Sequence, residues 1–293
     1  MQLNTPFTPG FFRRLQQLKI RTRRVMLGSR QGSHVTNRRG QGLEFADYRQ
    51  YTAGDDFRHI DWGVYGRSDR LYIREFRAEQ DLNVIVLLDA SSSMAHPHNS
   101  GKFELARNLA LSLGYIALCD GDSVVFGVLG KKVSPKFIGQ KALPRAIAAL
   151  KAVAPDDKLN IVEAVRRAIA QQRLPAKCFF ISDFMFDIKD QTEALDLLRS
   201  RNFDISVVQI LAPTEINLDL EQSGVFVDSE TGDILEVTLD RGAQKEYAVK
   251  LAEHVEALEQ YCRKAGISHI LVSSEEDLPN VVLTRFPAAG VLK

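Results

Sequence analysis

Hydrophobic positions along this chain alternate between short unbroken runs and stretches with a helical period. Residues 82–88, Leu-Asn-Val-Ile-Val-Leu-Leu, form a run of strand length rich in branched side chains. Such a run fits a strand covered on both faces, as in the middle of a parallel sheet. It stops abruptly at Asp89, Ala90 and three serines, residues that favour loops over strands. Cys178-Phe179-Phe180-Ile181 is a second apolar run, and it too ends in polar residues, Ser182 and Asp183. Residues 123–129 and 205–210 read as further strands, and 133–138 as one returning from a Gly130-Lys131 hairpin turn.

Between the runs the period changes. Residues 102–119 predict a helix whose apolar face carries Phe103, Leu105, Ala106, Leu109, Leu113 and Ile116. Helices are also predicted over 143–151, 161–172 and 192–200. Alternation of this kind predicts an α/β fold: a doubly wound, mostly parallel sheet with right-handed crossovers and one antiparallel edge strand from the 123–138 hairpin. Beyond Pro213, residues 224–228 and 234–238 flank a polar turn and read as a β-hairpin excursion. An amphipathic helix over 244–265, a strand over 268–272 and a terminal helix to about Phe286, opened by a Ser274/Asp277 capping box, complete the pattern.

Upstream, Phe12, Leu15, Leu18, Thr22 and Val25 give residues 11–27 one apolar helical face, and 28–42 read as a linker rich in Gly, Ser, Asn and Arg. Three segments follow: an arm and linker over 1–41, a motif-bearing segment over 42–80 expected to pack on the main domain, and the α/β domain over 81–293.

Charge sharpens that division. The net charge of +1 hides nine basic residues and no acid within residues 1–43, leaving 29 of the 38 basic residues against all 37 acids. Nucleic acid, an anionic membrane, a partner's acidic groove or the chain's own acidic body could each meet such an arm. No aromatic stacking pattern accompanies its arginines, which favours the body or a protein partner over nucleic acid. With 45% hydrophobic and 26% charged residues, the 293-residue chain is ordinary for a globular protein. No apolar run approaches the ~20 residues that cross a bilayer. The start lacks an apolar signal-peptide core, so a cytoplasmic protein is expected. Cys119, Cys178 and Cys262 are widely spaced and fit reduced thiols.

Two stretches carry candidate chemistry. The first is the end of the 82–88 run, where Asp89, Ser91 and Ser93 alternate. A tight loop there turns one carboxylate and two hydroxyls to a common point, a hard-oxygen set suited to Mg²⁺, with Mn²⁺ or Ca²⁺ as substitutes. The plainer reading is that these residues cap the following helix. The second is residues 42–79, dense in arginine, acid and aromatic side chains. Arg49, Arg58, Arg67 and Arg74 stand among Glu44, Asp55, Asp56, Asp61, Glu75 and Glu79, with Trp62 the only tryptophan. Guanidinium groups grip carboxylates through paired bonds, so this segment reads either as a structural clamp or as a recognition surface.

These residues carry a resemblance. Gly42-Leu43-Glu44-Phe45, then Gly54-Asp55-Asp56-x-Arg58-x-Ile60-Asp61-Trp62, then the strand with its Asp-x-Ser-x-Ser loop, resemble the bacterial DUF58 family. That family is similar to von Willebrand factor type A domains and is commonly encoded beside MoxR-type AAA+ ATPases. The resemblance implies a metal-ion-dependent adhesion site: Asp89, Ser91 and Ser93 match its first loop, and Asp183 matches its last aspartate. The expected threonine is missing. Its loop reads Ala154-Pro155-Asp156-Asp157-Lys158-Leu159-Asn160, with Leu159 or Asn160 in its place. Water, or Asp156, Asp157 or Asn160 as a substitute ligand, would then complete a weak Mg²⁺ site.

Enzymatic patterns fit less well. A haloacid-dehalogenase-like phosphatase needs an acid two residues after the first aspartate, where this chain has Ser91. Gly101-Lys102 lacks the other P-loop residues, no Gly-x-Ser-x-Gly elbow surrounds the serines, and His96 and His98 lie in a short polar loop. The expectation is a non-enzymatic module, an adaptor or co-chaperone that binds a MoxR-type AAA+ ATPase and an unknown client protein. A metal-dependent phosphatase and a nucleic-acid binder using the basic arm are the alternatives.

Overall fold

In a computed structural model of the chain, the described residues are 7–22, 43–78, 82–155, 159–172, 176–216, 225–227, 234–236 and 241–293. They belong to two units, one made of residues 1–25 and 82–293, the other of residues 26–81. The expected linker over 28–42 and the acids Glu79, Asp156 and Asp157 lie outside the described residues.

In the larger unit, helix α1 (Pro9–Leu15) starts at Thr8, whose Oγ accepts from Phe11 N at 3.2 Å. It buries Phe11 and Leu15 and ends there, so the helix predicted over 11–27 stops at Leu15, its last part, 23–27, lying outside the described residues. The chain turns extended instead because a backbone partner is at hand: Ile20 bridges to Leu292, and Lys19 and Lys293 exchange N–H···O bonds of 2.9 Å. Phe12 stacks edge-on to Tyr115 at 4.9 Å, and Lys19 pairs with Asp120 at 2.8 Å.

The smaller unit is an antiparallel pair, β1 (Leu43–Gln50) with β2 (Tyr72–Ala78), joined through helix α2 (Trp62–Ser68). Ile60 bridges to Ile73, and both are buried.

The larger unit is built on β3 (Asn83–Leu88), β4 (Ser123–Val128), β5 (Phe137–Ile138), β6 (Ala176–Ser182), β7 (Asp204–Leu211) and, after the short pair β8 (Val225–Val227) and β9 (Ile234–Glu236), β10 (Ser268–Ser273). Six of these form one sheet in the order β10-β7-β6-β3-β4-β5, parallel except at β5. The chain is therefore a mixed α/β protein with a mostly parallel six-stranded sheet and a separate antiparallel pair. Residues of β4, β6 and β7 are buried throughout, because helices cover both faces.

Helix α3 (Lys102–Cys119) lies against one face, so closely that a Cβ on Gly114 would come within 2.7 Å of Phe126. Helix α4 (Leu143–Lys151) packs beside it. The other face takes α5 (Ile161–Ile169), α6 (Ile188–Ser200) and α8 (Arg241–Ala265), where Ile85, Leu87, Phe180 and Val207 meet Val165, Leu195 and Leu258. A short α7 (Pro213–Ile216) follows β7, and α9 (Leu278–Asn280) and α10 (Phe286–Ala288) close the chain around a π-helical turn at Val281–Arg285.

Two expectations change here. Within 133–138 only Phe137–Ile138 pairs with β4. Pro135 withholds a ladder donor, and the Ser134 hydroxyl takes the Phe126 N–H at 2.8 Å in place of a strand partner. The Ser274/Asp277 capping box does not form. Asp277 precedes α9 without a side-chain cap bond, while Glu276 accepts from Ser273 N at 3.0 Å.

Candidate binding site at the sheet rim

Asp89 extends β3 by one residue, its N–H donating to Ile181 O at 2.9 Å, so its side chain starts at the rim of the sheet. Its Oδ1 accepts from Ser91 N at 2.9 Å and its Oδ2 from Ser182 Oγ at 2.6 Å. Burial first, and then the charge of Asp183, push the Asp89 carboxyl from its ordinary 3.8 up to about 6, against the pull of these hydrogen bonds.

Ser91 and Ser93 stand half-buried with their hydroxyls 2.9 Å apart. Neither serves as the expected cap of α3, whose N-cap is Gly101 at φ 71°. Ser91 does precede a 3₁₀ turn at Ser92–Ala95, yet its hydroxyl makes no cap bond. The two hydroxyls bond each other, and the Ser91 hydroxyl also meets the Asp89 carboxyl.

The loop after β6 is held from several sides. Asp183 is fully buried, and its Oδ1 accepts from Met185 N at 3.2 Å. Phe184 adopts φ 55°, a left-handed conformation costly for a bulky residue. Its N–H donates to Ser182 Oγ at 2.9 Å, its carbonyl accepts from Gln191 Nε2 at 2.7 Å, and its ring packs 4.8 Å from Phe180.

A residue outside the motif completes the rim. Lys102 opens α3, is 1% exposed, and places Nζ 3.0 Å from Asp183 Oδ2 and 2.6 Å from Glu215 Oε1. Glu215 comes from α7, and its other oxygen accepts from Ala212 N at 2.7 Å. Burial raises the Glu215 carboxyl despite the ammonium beside it. Motif spacing singles out neither Lys102 nor Glu215. One signal was available: a lysine in the first turn of a helix stands at the wrong end of the helix dipole and calls for buried acids.

The structure therefore brings Asp89 and Asp183 within electrostatic reach at the ends of neighbouring strands, with Ser91 and Ser93 on the loop after the first. Among the suggested substitute ligands, Asn160 caps α5, accepting from Glu163 N at 2.9 Å. Leu159 lies against Gly130, where an added Cβ would come within 2.8 Å of its Cδ1. His96 and His98 pack ring to ring at 4.7 Å.

In this arrangement the cation beside these carboxylates is the Lys102 ammonium. All four carboxylate oxygens of Asp89 and Asp183 already have a protein donor, and one of those donors is an ammonium. No group of three or more His, Cys, Asp or Glu side chains that could hold a metal ion occurs among the described residues.

In the smaller unit, Asp61 is 4% exposed and caps α2, accepting from Gly63 N at 2.9 Å, Val64 N at 3.1 Å and the Tyr48 hydroxyl at 2.8 Å. Arg49 reaches Asp55 at 2.9 Å across the turn, and Arg58 grips Asp56 at 2.8 Å, holding that carboxyl down to about 2. Arg67 bonds Gly63 O at 3.1 Å. On the backbone, Glu44 stands opposite Arg77 and Arg74 opposite Tyr48. Trp62 is 61% exposed, edge-on to Tyr65, and Phe57 is exposed as well.

Fold and rim define a mixed α/β protein with a polar cluster at the C-terminal ends of parallel strands. Residues 47–257 match the family described as protein of unknown function DUF58, and the chain belongs to that family. It is similar to uncharacterized proteins of Mycobacterium bovis and Mycobacterium tuberculosis, 22% identical over 271 residues, 90% of this chain and 84% of theirs. Among solved structures it is similar to BatB from Bacteroides thetaiotaomicron, at TM-score 0.42 and 17% identity over 71% of this chain and 98% of that one. An aerotolerance-related membrane protein from Bacteroides fragilis aligns at TM-score 0.37 and 18% identity, over 63% and 98% of the two chains. No helix among the described residues is long and apolar enough to cross a membrane.

Proposed function

We propose that this chain is a von Willebrand type A-like binding module that acts as an adaptor for a MoxR-type AAA+ ATPase, docking it at the sheet rim. The observation that carries the reading is the buried Asp89 beside the half-buried, hydrogen-bonded hydroxyl pair of Ser91 and Ser93. A carboxylate whose burial costs stability, at the end of a central strand, points to a role beyond folding. The C-terminal rim of a parallel sheet is where open α/β folds take their ligands.

The same geometry favours binding over catalysis. The Ser91 hydroxyl meets both the Ser93 hydroxyl and the Asp89 carboxyl, a set of donors and acceptors that can hydrogen-bond a partner's polar group. The test is direct binding between this protein and a purified MoxR-type ATPase from the same organism. Replacing both Ser91 and Ser93 by alanine is expected to weaken binding at least about tenfold, roughly 1.4 kcal/mol, with the melting midpoint unchanged. Equal binding by the double variant would remove the rim from the proposal.

A further inference from the structure

Lys102 places a buried cation at the start of a helix. Its ammonium lies in the first turn of α3, where the exposed helix N–H groups already present partial positive charge. Its side chain is entirely buried, and taking a cation out of water costs several kcal/mol unless anions meet it. Two do: Asp183 at 3.0 Å, just after β6, and Glu215 at 2.6 Å, in the short helix α7 that follows β7.

We propose that Lys102 is the resident cation of the rim, occupying by a tethered ammonium the position that a divalent ion would otherwise take, so that the rim works without metal. A divalent ion ligated by Asp183 would lie about 2.1 Å from a carboxylate oxygen. That places it within a few ångströms of an ammonium that itself contacts Oδ2 at 3.0 Å. Two such charges repel strongly in a dry site, and the ammonium cannot leave without uncovering Glu215 as well. What remains accessible at the rim is the hydroxyl pair of Ser91 and Ser93. The buried charge balance behind it is set by the chain itself.

Removing the ammonium should therefore open a metal site. The experiment compares the wild-type protein with Lys102→Ala, using Mn²⁺ followed by water-proton relaxation and by the melting midpoint. The wild type is expected to show no saturable binding into the millimolar range. Lys102→Ala is expected to melt lower, to bind Mn²⁺ saturably, and to recover part of its midpoint when the ion is present. Where Lys102→Ala does not fold, Lys102→Ala with Glu215→Gln, which removes one charge of each sign, is read in its place. Saturable Mn²⁺ binding by the wild type that Asp89→Ala abolishes would overturn the proposal. So would a folded lysine variant that binds no metal. Neither readout depends on the adaptor role, so loss of one leaves the other standing.

Discussion

The hydroxyl of Ser182 donates to Asp89 at 2.6 Å while accepting the backbone N–H of Phe184 at 2.9 Å. One side chain of β6 thereby couples the loop after β3 to the loop after β6. Ser182→Ala removes both bonds and leaves a buried carboxylate oxygen and a buried N–H without this partner. A loss on the order of 2 kcal/mol is expected, read from urea unfolding, with faster amide exchange at Phe184 and Met185. A change below 0.5 kcal/mol would show that the two loops hold without it.

Asp89 sets a pH dependence whose sign is opposite to that of a salt-bridged acid. Its carboxyl is raised from 3.8 to about 6, so the folded state binds the proton more tightly than the unfolded state. The group costs nothing well below pH 3.8, and its cost grows through that window until it is complete above pH 6. Asp89→Asn should therefore stabilise the protein at pH 7 by on the order of 2 kcal/mol, and the gain should shrink toward pH 4. Melting curves across that range check it, and a gain that ignored pH would refute the assignment.

Gly127 lies where β4 passes α5, and a Cβ there would meet Leu87 Cδ2 at 2.8 Å and Ala168 Cβ at 3.3 Å. Gly127→Ala should overpack this contact and cost about 1–3 kcal/mol. Combining it with Leu87→Val, which withdraws the nearer methyl, should recover part of the loss. Failure of that rescue would place the strain elsewhere.

Asp61 is expected to hold α2 in the smaller unit. Asp61→Ala removes the cap bonds to Gly63 and Val64 together with the Tyr48 hydroxyl contact. A cap of this kind contributes about 0.5–2 kcal/mol. Hydrogen exchange over residues 62–68 should quicken while β3 and β6 keep their protection.

How much of this could be read from sequence depended on distance along the chain. The central strands announce themselves, because a strand buried on both faces is apolar along its buried length, as 84–88 and 178–181 are. The alternation of periods also places α3 at residues 102–119, where it is found. Partners far apart are a different matter. Lys102 and Asp183 are joined by the sheet order, not by spacing, and Glu215 joins them through a third strand. The over-long helix drawn over 11–27 failed for the same reason. Its apolar period was real to Leu15, but a backbone partner at Leu292 competed for what followed. The strand over 133–138 lost to a local rival, the Ser134 hydroxyl.

The bridge between Ile20 and Leu292 has a consequence for how the molecule is made. Nearly the whole length of chain separates the two, so the segment around Ile20 leaves the ribosome long before its partner exists. Until then the backbone around Ile20 stays hydrated, although α1 can already pack on α3 through Phe12 and Tyr115. That seam closes only after every strand of the parallel sheet has been made, so the sheet forms its pairings without it.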